Sequence, residues 1–117
     1  MDINHLTLLG RLTRDPDLTH TSKDTAIVNF SIAVNRYFKS GGEQKQEVSF
    51  VDCKMFGPRA EVFAEHLAKG RRVLIVGRLS QEKWQDKDGN NRSKMVVVAE
   101  NFDFVDARQQ EPQAAGA

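Results

Sequence analysis

The sequence predicts an all-β domain with one short helix, its five strands closing into a small barrel. Three observations predict it. Apolar residues arrive in short alternating runs separated by glycine-containing and polar turns. One stretch near the middle has helical rather than alternating spacing. Apolar runs such as 73–76 and 96–99 suit buried strands and fall far short of a membrane span. At 117 residues the chain is one domain's worth, a size at which self-association is a common source of extra stability.

In residues 6–12, Leu6, Leu8, Gly10 and Leu12 share one strand face, and the mid-strand glycine signals a bend or a close backbone approach. Arg14-Asp15-Pro16-Asp17 is a turn signal, and the polar stretch from there to Thr25 reads as loop. Residues 26–35 form a second strand, with Val28, Phe30, Ile32 and Val34 alternating with Asn29, Ser31, Ala33 and Asn35. Arg36-Tyr37-Phe38-Lys39 extends it to a flexible tip at Ser40-Gly41-Gly42, and residues 43–47 read as solvated. Residues 48–56 are the third strand. Ser49, Val51, Cys53 and Met55 make its apolar side, Val48, Phe50, Asp52, Lys54 and Phe56 the other. In residues 59–68, Ala60, Phe63 and Leu67 have helical spacing with Ala64 beside them, and Gly70 stands where a left-handed helix cap is common. Residues 72–84 are the fourth strand, with Val73, Ile75, Gly77 and Leu79 on one face. Asp88-Gly89 marks a hairpin turn, and residues 93–105 return as the fifth strand, with Asn101 and Asp103 as interruptions. Residues 1–106 are then the folded domain and 107–117 a disordered tail. Three strands, a helix and two strands is the order of the five-stranded OB-fold barrel.

Charge and composition narrow the chemistry. The net charge is only +1, but residues 66–81 carry Lys69, Arg71, Arg72 and Arg78 with no acid, while Asp15, Asp17, Asp24, Asp86 and Asp88 gather in loops. This distribution fits a basic groove, and it fits scattered solvated charge equally. The lone Cys53 cannot form an internal disulfide and fits a reducing compartment. The opening residues show no signal peptide, so the cytoplasm is the default expectation. His5, His20, His66 and Cys53 lack metal-ligand spacing, Gly41-Gly42 lacks the rest of a phosphate-cradling loop, and Asp86 and Asp88 are ordinary turn residues. No cofactor, metal or catalytic group is expected.

The third strand carries the sharpest signal. Its apolar side is already supplied, yet Phe50 and Phe56 stand on the other side beside Lys54. Rings on a charged face suit a platform on which nucleobases stack while lysine meets phosphate. Burial of both faces, one inside the barrel and one under a loop or a partner subunit, explains this segment equally well. Trp84 ends the fourth strand among Lys83, Lys87 and Arg92, where packing and base contact are again balanced readings. Tyr37 and Phe38, between Arg36 and Lys39 near a loop tip, have little core to join, which points to binding.

These fragments together resemble the bacterial single-stranded-DNA-binding protein family over residues 3 to about 105. Ile3-Asn4-His5-Leu6-Thr7-Leu8-Leu9-Gly10-Arg11-Leu12 is similar to the family's first strand, and Arg14-Asp15-Pro16 to its first turn. Asn29-Phe30-Ser31-Ile32-Ala33-Val34-Asn35-Arg36 is similar to its second strand. Phe56-Gly57, Ala60-Glu61 and Leu67-Ala68-Lys69-Gly70 follow its third-strand end and helix. Val76-Gly77-Arg78-Leu79, Lys83-Trp84, Asp86 and Gly89 follow its fourth strand and hairpin. The resemblance implies an OB-fold and a homotetramer that wraps single-stranded DNA in replication, repair and recombination. It also implies stacking at Phe56 and Trp84, stacking on smaller rings at Phe38 and Phe50 where some members have tryptophan, and phosphate contacts at Lys69 and Lys83. Two features depart from the family pattern. The sequence stops at Gln113-Ala114-Ala115-Gly116-Ala117 without the acidic-hydrophobic tip that recruits partner proteins, so either the sequence is a truncated piece or that route to replication and repair partners is absent. Val51 and Asp52 stand where some members have polar or basic residues.

The expectation is therefore sequence-tolerant binding of single-stranded DNA. Phe38, Phe50, Phe56 and Trp84 would stack bases, and Lys54, Lys69, Arg72, Arg78, Lys83 and Arg92 would face the backbone. The competing expectation is an OB-type protein-interaction subunit of a primosome or replication-restart assembly, which needs no open stacking face. A cold-shock-type RNA binder fits poorly, because those domains are shorter and denser in aromatics.

Overall fold

The computed structural model describes residues 1–105; the tail expected at 107–117 lies outside them. The strands are β1 (Leu6–Leu12), β2 (Asp17–His20), β3 (Ala26–Ser40), β4 (Glu43–Phe56), β5 (Arg72–Gln85) and β6 (Asn91–Phe104), with helix α1 (Pro58–His66) between β4 and β5. They hydrogen-bond in the order β1-β5-β6-β4-β3-β2, and β1 also pairs with β3, which closes five strands into a barrel and leaves β2 outside it. The expected barrel, with its helix between the third and fourth barrel strands, is the architecture found.

The alternation read along each strand is what fills the barrel. Val28, Phe30 and Ile32 of β3, Cys53 and Met55 of β4, and Val73 and Ile75 of β5 are buried in one core cluster. Helix α1 plugs this core. Pro58 stands in its first turn, where a missing N–H costs nothing, and Ala60 and Phe63 turn inward. The Phe63 ring stacks on Phe30 at 4.2 Å and meets the edge of Phe102 at 5.0 Å. Burying one such ring contributes about 1.5–3 kcal/mol.

Closure depends on two glycines. A Cβ on Gly10 would lie 2.6 Å from the Ala33 carbonyl oxygen, where β1 crosses β3. A Cβ on Gly77 would lie 2.1 Å from the Val98 carbonyl oxygen, beside the register shift between Val76 and Gly77. The close approach expected at Gly10 is therefore present, and Gly77 does the same on the neighbouring strand β5, against β6.

Four details differ from the sequence expectation. Residues 17–20, read as loop, form strand β2 against Ala26–Asn29 of β3. All four are exposed, so no alternation of burial could mark them. Residues 43–47, read as solvated, are solvated and also paired: Glu43 stands opposite Ser40 and Glu47 opposite Arg36. Backbone pairing, an Arg36–Glu47 ion pair and a Gln46–Asn35 hydrogen bond hold this arm, and the tip is a tight turn with φ of 61° at Gly41 and 81° at Gly42 rather than a loose loop. The helix stops at His66, and Leu67 is extended and buried. Gly70, with φ 90°, instead serves a later turn, where its N–H donates to the Leu12 carbonyl. Finally, Asn101 and Asp103 do not end β6, since both pair with β5, but the β5–β6 register slips by one residue at Glu100, immediately before Asn101.

Candidate nucleic-acid interface

Strand β4 has one face in the core and one in water. Cys53 and Met55 point inward, and the intervening residues must point outward. Across the β3 ladder the outward row sets Phe50 beside Ala33, Asp52 beside Ser31, Lys54 beside Asn29 and Phe56 beside Ile27. Ala33 is too small to cover Phe50, and Ile27 covers Phe56 only in part. Phe50 remains 72% exposed and Phe56 46% exposed. They are six residues apart on one strand, a span of about 20 Å at strand rise. Trp84, 46% exposed, stands near the end of the β5–β6 arm opposite Arg92. Around it lies an open groove of about 530 Å³ that includes Lys83, Arg92 and Ser93. The alternative in which these rings are sealed beneath protein does not hold for the isolated chain.

The arm's turn is built by one carboxylate. Asp86 Oδ1 accepts from the N–H groups of Asp88 and Asn90, and Oδ2 accepts from Arg92 Nε at 2.9 Å. The Arg92 guanidinium, and then the Asn90 N–H, hold the Asp86 carboxyl below its ordinary range. Arg92 is thus anchored beside Trp84 with its side chain still 59% exposed.

Cations on this surface are largely paired. Lys54 is ion-paired with Glu82, Lys94 lies 3.8 Å from Asp52, and Arg78 lies 3.0 Å from Glu100. Lys54 Nζ is also 6.0 Å from the Phe56 ring centre, at the outer reach of a cation–π contact. Cys53, directly beneath, is inert: burial first, and the neighbouring Asp52 charge second, push its thiol up to about 12.

The Single-strand binding protein family matches residues 3–105. The chain belongs to that family. It is 43% identical over 104 residues to the single-stranded DNA-binding protein of Treponema pallidum (strain Nichols), covering 89% of this chain and 58% of that relative. It is 42% identical over 104 residues to the one from Aquifex aeolicus (strain VF5), covering 88% of this chain and 70% of that relative. A solved structure described as Plasmodium falciparum SSB complex with ssDNA superposes with a TM-score of 0.81 at 21% identity, over 91% of this chain and 97% of that one, a likeness of fold. The chain spans 58%, 62% and 65% of the length of the relatives from Treponema pallidum, Helicobacter hepaticus and Wolinella succinogenes.

Within this family fold the expected site residues separate into groups. Phe50, Lys54 and Phe56 share the outward row of β4, and Trp84 and Arg92 share the outward side of the β5–β6 arm. Phe38 does not join Phe50. Strand alternation puts it on the other face of the β3–β4 ladder, opposite Lys45, with the Arg36 guanidinium 4.7 Å above its ring. The acid-free run 66–81 does not fold into one patch. Lys69 sits in a loop whose backbone N–H is held by Asp15, Arg72 pairs in register with Arg11 of β1, and Arg78 is bound to Glu100. Lys83 alternates to the opposite side of β5 from Trp84, yet both border the same open groove. Sequence reasoning missed Arg14, Asn29 and Lys94, which line a pocket of about 210 Å³ with Asp52, Lys54 and Glu82. For Lys94 a signal existed: it alternates with Val96 and Val98, so it shares the side of β6 that carries Arg92.

Proposed function

We propose that this chain binds single-stranded DNA with little regard to sequence and protects it during replication, repair and recombination, without catalysing a reaction. The observation that carries the reading is the exposure of Phe50, Phe56 and Trp84 on the outside of a barrel whose inside is full. Every base has a π-face, so each uncovered ring adds about 1–3 kcal/mol per stacked base whatever the sequence. Exposed Arg92 and Lys83 border the Trp84 groove and supply positive charge for the backbone. The buried, proton-retaining Cys53 offers no nucleophile. The same reading places the protein in the cytoplasm, associated with the nucleoid; no helix among the described residues is long and apolar enough to cross a membrane.

Self-association into a homotetramer belongs to the same reading. Residues 6–10 of β1 pair with β5 on one side, and among the described residues no strand pairs with their other side. Leu9 is exposed on that strand. An open edge with an apolar side chain suits a second copy. Mass determination in solution tests this, and a mass of one chain would contradict it.

Binding itself is tested by comparing oligo(dT) with a duplex of equal length. The reading requires clear preference for the single strand and weakening with added salt; equal affinity for both would overturn it. The paired state of Lys54, Lys94 and Arg78 favours a second reading, the protein-interaction subunit of a restart assembly. Phe50→Ala discriminates, since it should abolish much of the oligo(dT) affinity but leave partner docking intact in an interaction subunit.

A further inference from the structure

Lys54, beside the Phe56 ring, and Lys94, on the neighbouring strand β6, are already occupied by acids from other strands. Glu82 of β5 holds Lys54 of β4, while Asp52 of β4 lies 3.8 Å from Lys94 of β6. Glu82 also stands opposite Lys94 in the β5–β6 register, so the four groups form one cluster of alternating charge. Arg14 and Asn29 border the same pocket of about 210 Å³. The cluster is not remote from the candidate site: Asp52 and Lys54 are the outward residues between Phe50 and Phe56 on β4. A strand whose bases lie on those two rings must carry its backbone across this cluster. The Lys54 and Glu82 side chains are only 22% and 30% exposed, so their pairing is screened less than that of a fully solvated pair.

We propose that Asp52 and Glu82 act as internal stand-ins for phosphate: they hold Lys54 and Lys94 when no strand is bound and compete with the strand's backbone for them. This rests on the single-strand-binding reading above and goes beyond it, because it assigns to two acids the setting of affinity and salt response. Binding at this cluster is an exchange of one anion for another. A phosphate entering the pocket gains a lysine only by displacing a carboxylate, and the displaced carboxylate remains nearby as a like charge. Each exchanged contact thus neutralises less net phosphate charge than a free lysine would. Fewer counterions are released from the strand, so binding is weaker at low salt and less sensitive to salt. Removing one acid leaves its lysine wholly available, and each fully neutralised phosphate of a single strand adds about 0.7 to the slope of log affinity against log salt.

The test is a Trp84 fluorescence titration with oligo(dT) at several salt concentrations, using the full chain and its Asp52→Asn, Glu82→Gln and doubly substituted forms. Glu65→Gln on the exposed side of α1 makes the same change in net charge away from the pocket. The expected result is an affinity gain of about fivefold per acid removed at low salt, and a slope steeper by about 0.7 per acid. Both gains should shrink as salt rises, and Glu65→Gln should match the unsubstituted chain. Should Glu82→Gln fail to fold, Asp52→Asn carries the same test, since its pair with Lys94 is long and half-exposed. Unchanged or weaker binding by the variants, with the unsubstituted chain still preferring oligo(dT), would overturn this proposal alone and make the acids simple anchors. Equal gains in Glu65→Gln would overturn it too, by reducing it to net charge. Absence of oligo(dT) binding by every form at every salt would overturn the binding reading and this proposal together.

Discussion

A single strand, β4, shows how residue chemistry divides the labour. Its inward residues Cys53 and Met55 are indistinguishable from core, and its outward rings Phe50 and Phe56 contribute little to that core because they lie on the exposed face of the sheet. Phe50→Ala and Phe56→Ala should therefore each cost about 1–3 kcal/mol of oligo(dT) affinity, with much smaller changes in the urea midpoint of unfolding. Cys53 should resist iodoacetamide in the folded chain and react once urea exposes it, as intact-mass analysis would show, because burial holds its pKa at about 12. Asp86 gives a pH signature with a definite sign. Its folded pKa lies below the ordinary 3.8, so its bonds to the turn are complete above that value and are lost as pH falls through the lower folded value. The Asp88 and Asn90 amide signals should shift together over that acid range and stay constant at higher pH. The sides taken by Phe50, Cys53, Met55 and Phe56 were legible from the sequence because alternation assigns each residue of 48–56 a side. Phe38 was not, since its sequence neighbours Arg36 and Lys39 say nothing about which face of a solvated arm it occupies.

At the scale of elements, the strands with a buried face were readable and the strands without one were not. β2 and the start of β4 have every residue in water, and backbone pairing to a neighbouring strand leaves no pattern in side chains. The helix was legible from Ala60 and Phe63, but its end was not, because Leu67 continues the apolar spacing while its backbone has already turned extended. Gly10 announced a close approach by lying in mid-strand, and Gly77 looked like one more inward residue of β5. Both are required by distance: their missing side chains admit a carbonyl oxygen. Gly77→Ala should destabilise the fold by roughly 1–3 kcal/mol, and Gly10→Ala by a similar or somewhat smaller amount, in urea unfolding. Leu9→Asp, on the open edge of β1, should leave the isolated domain folded but lower the mass observed in solution.

For the whole molecule, charge is where sequence and structure part most clearly. The sequence holds an acid-free basic run, and the fold disperses it: Lys69 to a loop, Arg72 beside β1, Arg78 onto Glu100. In exchange it gathers Arg14, Lys54 and Lys94 from distant positions around a pocket that also holds two acids. Long-range juxtaposition of this kind leaves no spacing to read. The molecule is therefore a platform of uncovered rings with partly neutralised charge between them, and its grip on a strand should owe more to stacking than to phosphate. The most direct test is the emission of Trp84, the chain's one tryptophan, titrated with oligo(dT) and, separately, with a duplex of equal length. Stacking predicts strong, saturable quenching by the single strand and little by the duplex. Unchanged emission at concentrations where the single strand is bound would show that this ring is not a stacking surface, and would contradict the account.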